Sequence, residues 1–203
     1  MFGKKTMKGN TPIRYNKEKT KNPIARFLYK RYKYNLISLF PDENIKDVLE
    51  LGCGRGEILN YIDSKIKCNL LGVDIEEDII KDASRLYQTI NFKVEDGQAL
   101  SFKDDSFDLV LVLEVLEHVK NVDIIIAEAK RVSKKYCIFS VPREPLWKIL
   151  NIARGAHLSR FGNTPGHINH WSSRGFEKLL SRHFVIIDIS KTIPWTIISC
   201  EIK

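Results

Sequence analysis

Val48-Leu49-Glu50-Leu51-Gly52-Cys53-Gly54-Arg55-Gly56-Glu57 passes from a short apolar run through three alternating glycines into a helix-competent stretch. It reads as a strand, a glycine-rich turn and the opening of a helix. In open α/β sheets ligands bind beyond the carboxyl ends of the strands. Glycines placed there accept positive φ and let a ligand lie directly against the backbone. The spacing is GxGxG, and Glu57 stands where the dinucleotide fingerprint GxGxxG has its third glycine. That departure disfavours a pyrophosphate-binding dehydrogenase. Glu50, just before the glycines, suits instead a cofactor that carries positive charge and no phosphate.

Working outward, the next apolar run closes on Leu71-Gly72-Val73-Asp74. An acid at that point can accept hydrogen bonds from both hydroxyls of a ribose. The third run ends in Glu95-Asp96-Gly97, where a carboxylate could accept from an adenine amino group. The fourth ends in Leu113-Glu114-Val115-Leu116-Glu117-His118. Each acid alone has a plain explanation as a helix cap or a solvated turn residue. Four successive strands ending in an acid, the first with glycines, form a site-like pattern.

The rest of the chain alternates in the same way. Strands are expected at Val48–Leu51, Leu70–Asp74, Ile90–Glu95, Phe107–Glu114 and Tyr136–Val141. Helices are expected at Gly56–Asp63, Glu76–Gln88 and Asn121–Val132, the last with Asn121 as N-cap. Such alternation implies βαβ units, and continuous apolar strands imply a parallel sheet covered on both faces. Pro23 opens an amphipathic helix that runs to Phe40. Residues 142–171 interrupt the rhythm with three prolines and three glycines and one helical patch at Trp147–Ala153. A helix over Ser173–Arg182 then leads to Phe184–Ser190 and Trp195–Cys200, an antiparallel pair. The expected fold is a Rossmann-like, seven-stranded, mostly parallel sheet with helices on both faces and a C-terminal antiparallel strand. The expected division is a basic arm over residues 1–22 and a domain over 23–203. Within the domain, residues 23–40 form the leading helix and 142–171 an insertion that covers the substrate.

Composition sets the outer bounds. A chain of 203 residues fits one domain and buries about 70% of its unfolded surface without staples. No apolar run approaches the roughly 18 residues of a membrane span, and the basic N-terminus has no apolar segment that would read as a secretory signal. The four cysteines lie outside metal-ligand spacing, which points to a reduced, cytoplasmic setting. The net charge of +8 is concentrated: residues 1–40 hold eleven Lys or Arg and one acid, and the remainder is close to neutral. That arm could attract nucleic acid, a phosphorylated substrate or an anionic membrane, or serve as a solvated tail.

Taken together, these segments resemble the class I S-adenosylmethionine-dependent methyltransferases, in particular the small-molecule branch that includes the ubiquinone-biosynthesis O-methyltransferases. The resemblance rests on Val48–Gly56, on Gly72-Val73-Asp74, and on Asp96-Gly97-Gln98-Ala99-Leu100 with Phe107-Asp108. It continues through Glu114-Val115-Leu116-Glu117-His118-Val119 and spans roughly residues 45–141. It implies that S-adenosylmethionine is the cofactor. Gly52, Gly54 and Gly56 would then line its methionine part, with Glu50 toward the ammonium, Asp74 at the ribose and Asp96, with Gly97 beside it, at the adenine. Leu113 and Glu114 would close over the methionine end. One departure is Ser133-Lys134-Lys135-Tyr136, where relatives commonly carry Lys-Pro-Gly-Gly. It alters a turn far from the cofactor.

Methyl transfer mainly requires that the acceptor be positioned and desolvated. A hydroxyl acceptor also requires a base, and histidine is the usual choice. His118 after the fourth strand and His170 in Gly166-His167-Ile168-Asn169-His170-Trp171 are the candidates. No metal is expected, since no carboxylate or thiol lies near the His167/His170 pair in the sequence. The leading function is methylation of a small molecule, O-directed, on a metabolite or a glycan- or lipid-linked intermediate. The patch of Trp147, Ile149, Leu150 and Ile152 beside Lys148 and Arg154 could meet a lipid-like substrate or membrane, or simply dock on the core. The competing readings are an RNA methyltransferase using the basic arm and a non-catalytic cofactor-binding subunit. No Asn/Asp-Pro-Pro-aromatic motif follows the fourth strand, which disfavours base N-methylation.

Overall fold

The computed structural model describes residues 22–203, so the basic arm lies, apart from Asn22, outside the described residues. Seven strands form one sheet: β1 (Asp47–Leu51), β2 (Asn69–Asp74), β3 (Asn91–Val94), β4 (Phe107–Leu113), β5 (Ser133–Pro142), β6 (Phe184–Ser190) and β7 (Trp195–Ile202). Their order is β3-β2-β1-β4-β5-β7-β6. The first five are parallel, and β7 runs antiparallel to both β5 and β6. The order reverses between β1 and β4, the switch point at which such sheets open a crevice for ligands.

Period-two alternation explains the two cores. Leu109, Leu111 and Leu113 face one side of the sheet, while Val110 and Val112 face the other. On the first side pack α1 (Pro23–Ile37), α2 (Glu57–Asp63) and α3 (Glu77–Leu86), through Tyr32, Leu36, Leu59, Ile62 and Ile80. On the second pack α4 (Val122–Val132) and α6 (Ser173–Leu180), through Ile126, Val132, Phe176 and Leu180. Each fully buried aliphatic or aromatic chain contributes about 1.5–3 kcal/mol relative to exposure. Cys137 and Cys200 pair in register across β5 and β7 and are buried. Burial pushes the Cys137 thiol up to about 12, and both act as apolar filler.

Differences from the sequence reading are local. β5 begins at Ser133 and ends at Pro142, longer than Tyr136–Val141, because it is central and gains partners on both sides, β4 and β7. Lys134 at its start is held by Asp108 at 2.8 Å. The leading helix stops at Ile37, where the chain enters a turn. Asn121 stands at the N-cap of α4 as expected, yet its side chain makes no capping hydrogen bond. The 142–171 segment contains α5 (Leu146–Ala153) and a single 3-10 turn at Leu158–Arg160. Among the described residues no helix is long and apolar enough to cross a membrane.

Candidate cofactor and acceptor site

Parallel register puts the ends of β1, β2 and β4 level: Leu51 lies beside Val73 and Val112. The glycine turn therefore opens directly onto Asp74 and Glu114. Gly52, Gly54 and Gly56 all take positive φ, at 77°, 55° and 80°. At Gly52 a Cβ would stand 2.4 Å from Val115 Cγ2, and at Gly56 it would stand 2.6 Å from the Phe92 ring. Both the conformation and the space thus require glycine. The Gly52 and Cys53 amides donate to the Val73 carbonyl at 2.8 and 2.9 Å, which ties the turn to β2. Arg55 reaches Asp82 on α3 at 3.0 Å.

The acids have distinct states. Glu50 is 3% exposed, and its Oε2 has no hydrogen-bond partner among the described residues. Burial, then Glu57 and Asp74 nearby, hold its carboxyl well above the ordinary range. An unpaired buried carboxylate is costly, and a cation placed beside it could supply the missing partner. Asp74 is equally buried, and its two oxygens accept from the Gly54 amide at 3.0 Å and the Glu76 amide at 3.2 Å. Those bonds aim the carboxylate at the end of β2. Asp96 is exposed beyond the end of β3, and its Oδ1 accepts from the Gln98 amide at 2.9 Å. Gly97 packs tightly, since a Cβ there would stand 2.8 Å from Leu51 Cδ2.

At the end of β4, Leu113 is buried and Glu114 takes φ +56°. Left-handed backbone at a non-glycine residue stores strain and is concentrated at functional sites. The Glu114 amide donates to the Ser140 carbonyl at 3.0 Å. The Ser140 hydroxyl meets the Tyr32 hydroxyl at 2.7 Å, so α1 reaches the site through a buried phenol. Burial first, and Glu114 second, raise the Tyr32 phenol well above its ordinary value.

A 3-10 turn at Leu116–His118 follows, and the 142–171 segment is clamped onto it. The Asn169 amide donates to the Leu116 and Val119 carbonyls at 2.9 and 2.7 Å. The backbone amides of Ile168 and Asn169 both donate to the Glu117 carbonyl. His118 Nδ1 lies 3.0 Å from the Gly166 carbonyl. His118 and His167 meet edge to face with ring centroids 4.9 Å apart, and His167 stacks on Trp147 at 6.0 Å. His170 is elsewhere: its Nδ1 lies 3.4 Å from Glu144 Oε1.

The structure therefore brings together Glu50, the three glycines, Asp74, Leu113 and Glu114 at one edge of the sheet, with Asp96 and Gly97 at the adjoining strand end. It brings His167, rather than His170, to His118. The expectation that no carboxylate stands near the histidines is corrected. Glu117, His118 and His167 present ligand atoms all within 4.8 Å of one another, a spacing a metal ion could bridge. Glu117 is buried, so its neighbours come from a segment about fifty residues away, which local spacing does not reveal. Tyr32 and Asn169 were also not singled out. Tyr32 carried only the helical periodicity of a core residue, and Asn169 only a loop composition.

Residues 49–141 match a family model described as a methyltransferase domain. The ubiquinone biosynthesis O-methyltransferase of Bartonella quintana (strain Toulouse) is 31% identical over 123 residues, 58% of this chain and 49% of that protein. Norajmaline N-methyltransferase of Rauvolfia serpentina is 29% identical over 115 residues, 54% of this chain and 39% of that protein. The chain thus spans half or less of the length of these relatives. Among solved structures, the magnesium protoporphyrin IX methyltransferase from Synechocystis PCC 6803, with bound SAH, has a TM-score of 0.66 at 18% identity. That match covers 91% of this chain and 89% of the other, and it supports the fold.

Proposed function

We propose, from the match of residues 49–141 to a family model described as a methyltransferase domain, that this chain methylates a small-molecule acceptor with S-adenosylmethionine, and that the acceptor atom is a hydroxyl oxygen. The observation that carries the cofactor is Glu50 Oε2, a buried carboxylate oxygen without a partner beside a glycine turn. A phosphate would be repelled there, whereas an ammonium would supply the missing partner. The relatives with O- and N-methyltransferase names and the solved relative with bound SAH support the same class.

The residues fit the cofactor part by part. Glu50 would take the ammonium, and the amides and open faces of Gly52, Gly54 and Gly56 would border the methionine part. Asp74, already aimed by two amides, would accept from the ribose hydroxyls, and Asp96 would accept from the adenine side. Leu113 and the strained Glu114 backbone would form the wall at the methionine end. When bound, S-adenosylmethionine supplies a methyl group on a sulfonium, which is its own good leaving group.

The chain's own chemistry is then orientation, exclusion of water and removal of one proton. A carbonyl can only accept, so the Gly166 oxygen fixes the His118 proton on Nδ1. With the proton on Nδ1, Nε2 is the accepting nitrogen of the ring, the atom that would take the proton of the acceptor hydroxyl. The 142–171 segment, clamped over the 3-10 turn, holds that ring in place and covers the acceptor. His170, engaged with Glu144, stands as a positioning group for the segment.

Calorimetric titration with S-adenosylmethionine tests the cofactor assignment. Saturable binding that weakens in Asp74→Ala and Glu50→Gln supports it; absence of binding at millimolar cofactor overturns it. Labelled cofactor offered with a cell extract then tests transfer, and a label on nucleic acid rather than on small molecules would overturn the acceptor class.

A further inference from the structure

α1 and α5 pack on the same face of the sheet, around one residue. The Trp195 ring lies 6.5 Å from Tyr29 of α1 and 5.8 Å from Trp147 of α5. Their outward sides combine exposed apolar side chains with charge of one sign. On α1, Ile24, Phe27 and Tyr34 are 69%, 62% and 69% exposed. They sit on one stripe at positions i, i+3 and i+10, opposite the buried Tyr29, Tyr32 and Leu36. Arg26, Lys30 and Arg31 flank that stripe, and the helix holds no acid.

The segment after α5 repeats this character. Residues 145–171 contain no Asp or Glu. Ile149, Ile152 and Leu158 are about half exposed, and Phe161 is 84% exposed. Arg154 and Arg160 stand exposed among them. The exposure of Phe161 is built in. Its backbone takes φ +50°, a rare and strained state for a bulky residue. The loop around it is locked by the buried Asn151, whose amide donates to the Gly162 carbonyl at 2.7 Å. A structured loop thus holds an aromatic ring out into solvent.

We propose that this basic, apolar face docks on an anionic lipid bilayer. Exposed apolar side chains gathered on two elements that pack around one residue mark an interaction surface, and cationic groups around an apolar insert are the pattern of interfacial membrane binding. Beside the rings of Phe27, Tyr34 and Phe161, the exposed Ile24, Ile149, Ile152 and Leu158 offer neither stacking planes nor hydrogen bonds, which favours an apolar insert over single-stranded nucleic acid. The absence of acids across both elements matches a surface of one sign, such as anionic headgroups. Residues 1–21, which precede α1 in the sequence, hold seven Lys or Arg and one Glu. The surface stands independently of the base assigned above. Trp147 joins it to His167 and His118, so a docked face would adjoin the mouth of the acceptor site.

The test is co-sedimentation of the full chain with vesicles of phosphatidylcholine alone and of phosphatidylcholine with phosphatidylglycerol. The chain is expected to bind the anionic vesicles at least about ten-fold better than the neutral ones, with binding weakened by salt. The double variants Leu158→Ser/Phe161→Ser and Arg154→Glu/Arg160→Glu should each lower binding about ten-fold. Their melting temperature and affinity for S-adenosylmethionine should stay unchanged. Should a double variant fold poorly, Phe161→Trp provides a conservative probe, whose added fluorescence should be quenched by brominated lipid. Three outcomes would overturn the proposal: no binding to anionic vesicles; equal binding by wild type and both variants, which would assign it to residues 1–21; or no quenching of the introduced indole. Tighter binding of an RNA oligonucleotide that is lost in the Leu158/Phe161 variant would overturn it as well.

Discussion

The carboxyl ends of β1–β4 and the 142–171 segment lie side by side but are built on opposite principles. At the ends of β1, β2 and β4 the groups proposed to bind the cofactor are backbone amides, positive-φ glycines and the buried Glu50 and Asp74, each placed by a strand that is paired on both flanks. Asp74 is aimed by two amides, and Gly52 has no room for a methyl group. On the acceptor side the scaffold is irregular, and its position depends on a few long-range bonds. Asn169 spans two carbonyls of the 3-10 turn, and Gly166 fixes His118. Strand-borne sites are precise and tolerate little change, whereas segment-borne sites can be remodelled without disturbing the sheet.

The contrast can be broken first at His118. With a hydroxyl acceptor, His118→Ala should lower kcat by about 10²–10⁴-fold and leave cofactor affinity unchanged, while His170→Ala should have a small effect. Turnover assays on both variants check this. Equal, full activity in both would remove the base and leave proximity as the whole of catalysis. Next in size, Gly52→Ala should cost about 2–4 kcal/mol of stability, from left-handed strain plus the clash with Val115. Urea denaturation measures it, and a neutral result would mean the cradle yields as easily as the segment. Third, Asp74→Ala should weaken S-adenosylmethionine by about 1–3 kcal/mol in calorimetry, whereas Asn169→Ala should leave that affinity in place.

The subtlest prediction concerns pH. Glu50 binds its proton more tightly in the folded chain than in the unfolded one, because of burial and the neighbouring Glu57 and Asp74. The stability this provides is complete below the ordinary carboxylate range and is lost as pH rises through the raised value. Glu50→Gln should therefore melt at a higher temperature than the parent at neutral pH without cofactor, and its stability should vary less with pH. The same variant should bind the cofactor more weakly, and it should lose any proton release at Glu50 that accompanies binding of a cation. Thermal melts across pH and calorimetry in buffers of different ionisation enthalpy would separate the two effects. A fall in apo stability would show that Glu50 is a structural acid rather than a binding one.

Much of the cofactor side was legible along the chain because its logic is local. Each acid lies within two residues of a strand's carboxyl end, and the glycines sit together in one turn. Parallel pairing then levels the strand ends, so residues 24 apart in sequence, Glu50 and Asp74, meet without further instruction. The acceptor side had no such logic. His170 and His167 are three residues apart in the same loop, and composition does not distinguish them. Only the clamp between Asn169 and the Leu116–Val119 turn turns His167 toward His118 and leaves His170 with Glu144.

By itself, then, the sequence determined a seven-stranded, mostly parallel sheet and its glycine-and-acid edge, because hydrophobic periodicity and turn chemistry act between near neighbours. The tertiary structure alone decided three things: that Glu50 Oε2 is left without a partner, that Tyr32 reaches Ser140 across more than a hundred residues, and that Glu117, His118 and His167 converge. The physical reason is that burial and long-range hydrogen bonds depend on what packs above a residue, and that packing is set by the whole chain rather than by its local pattern.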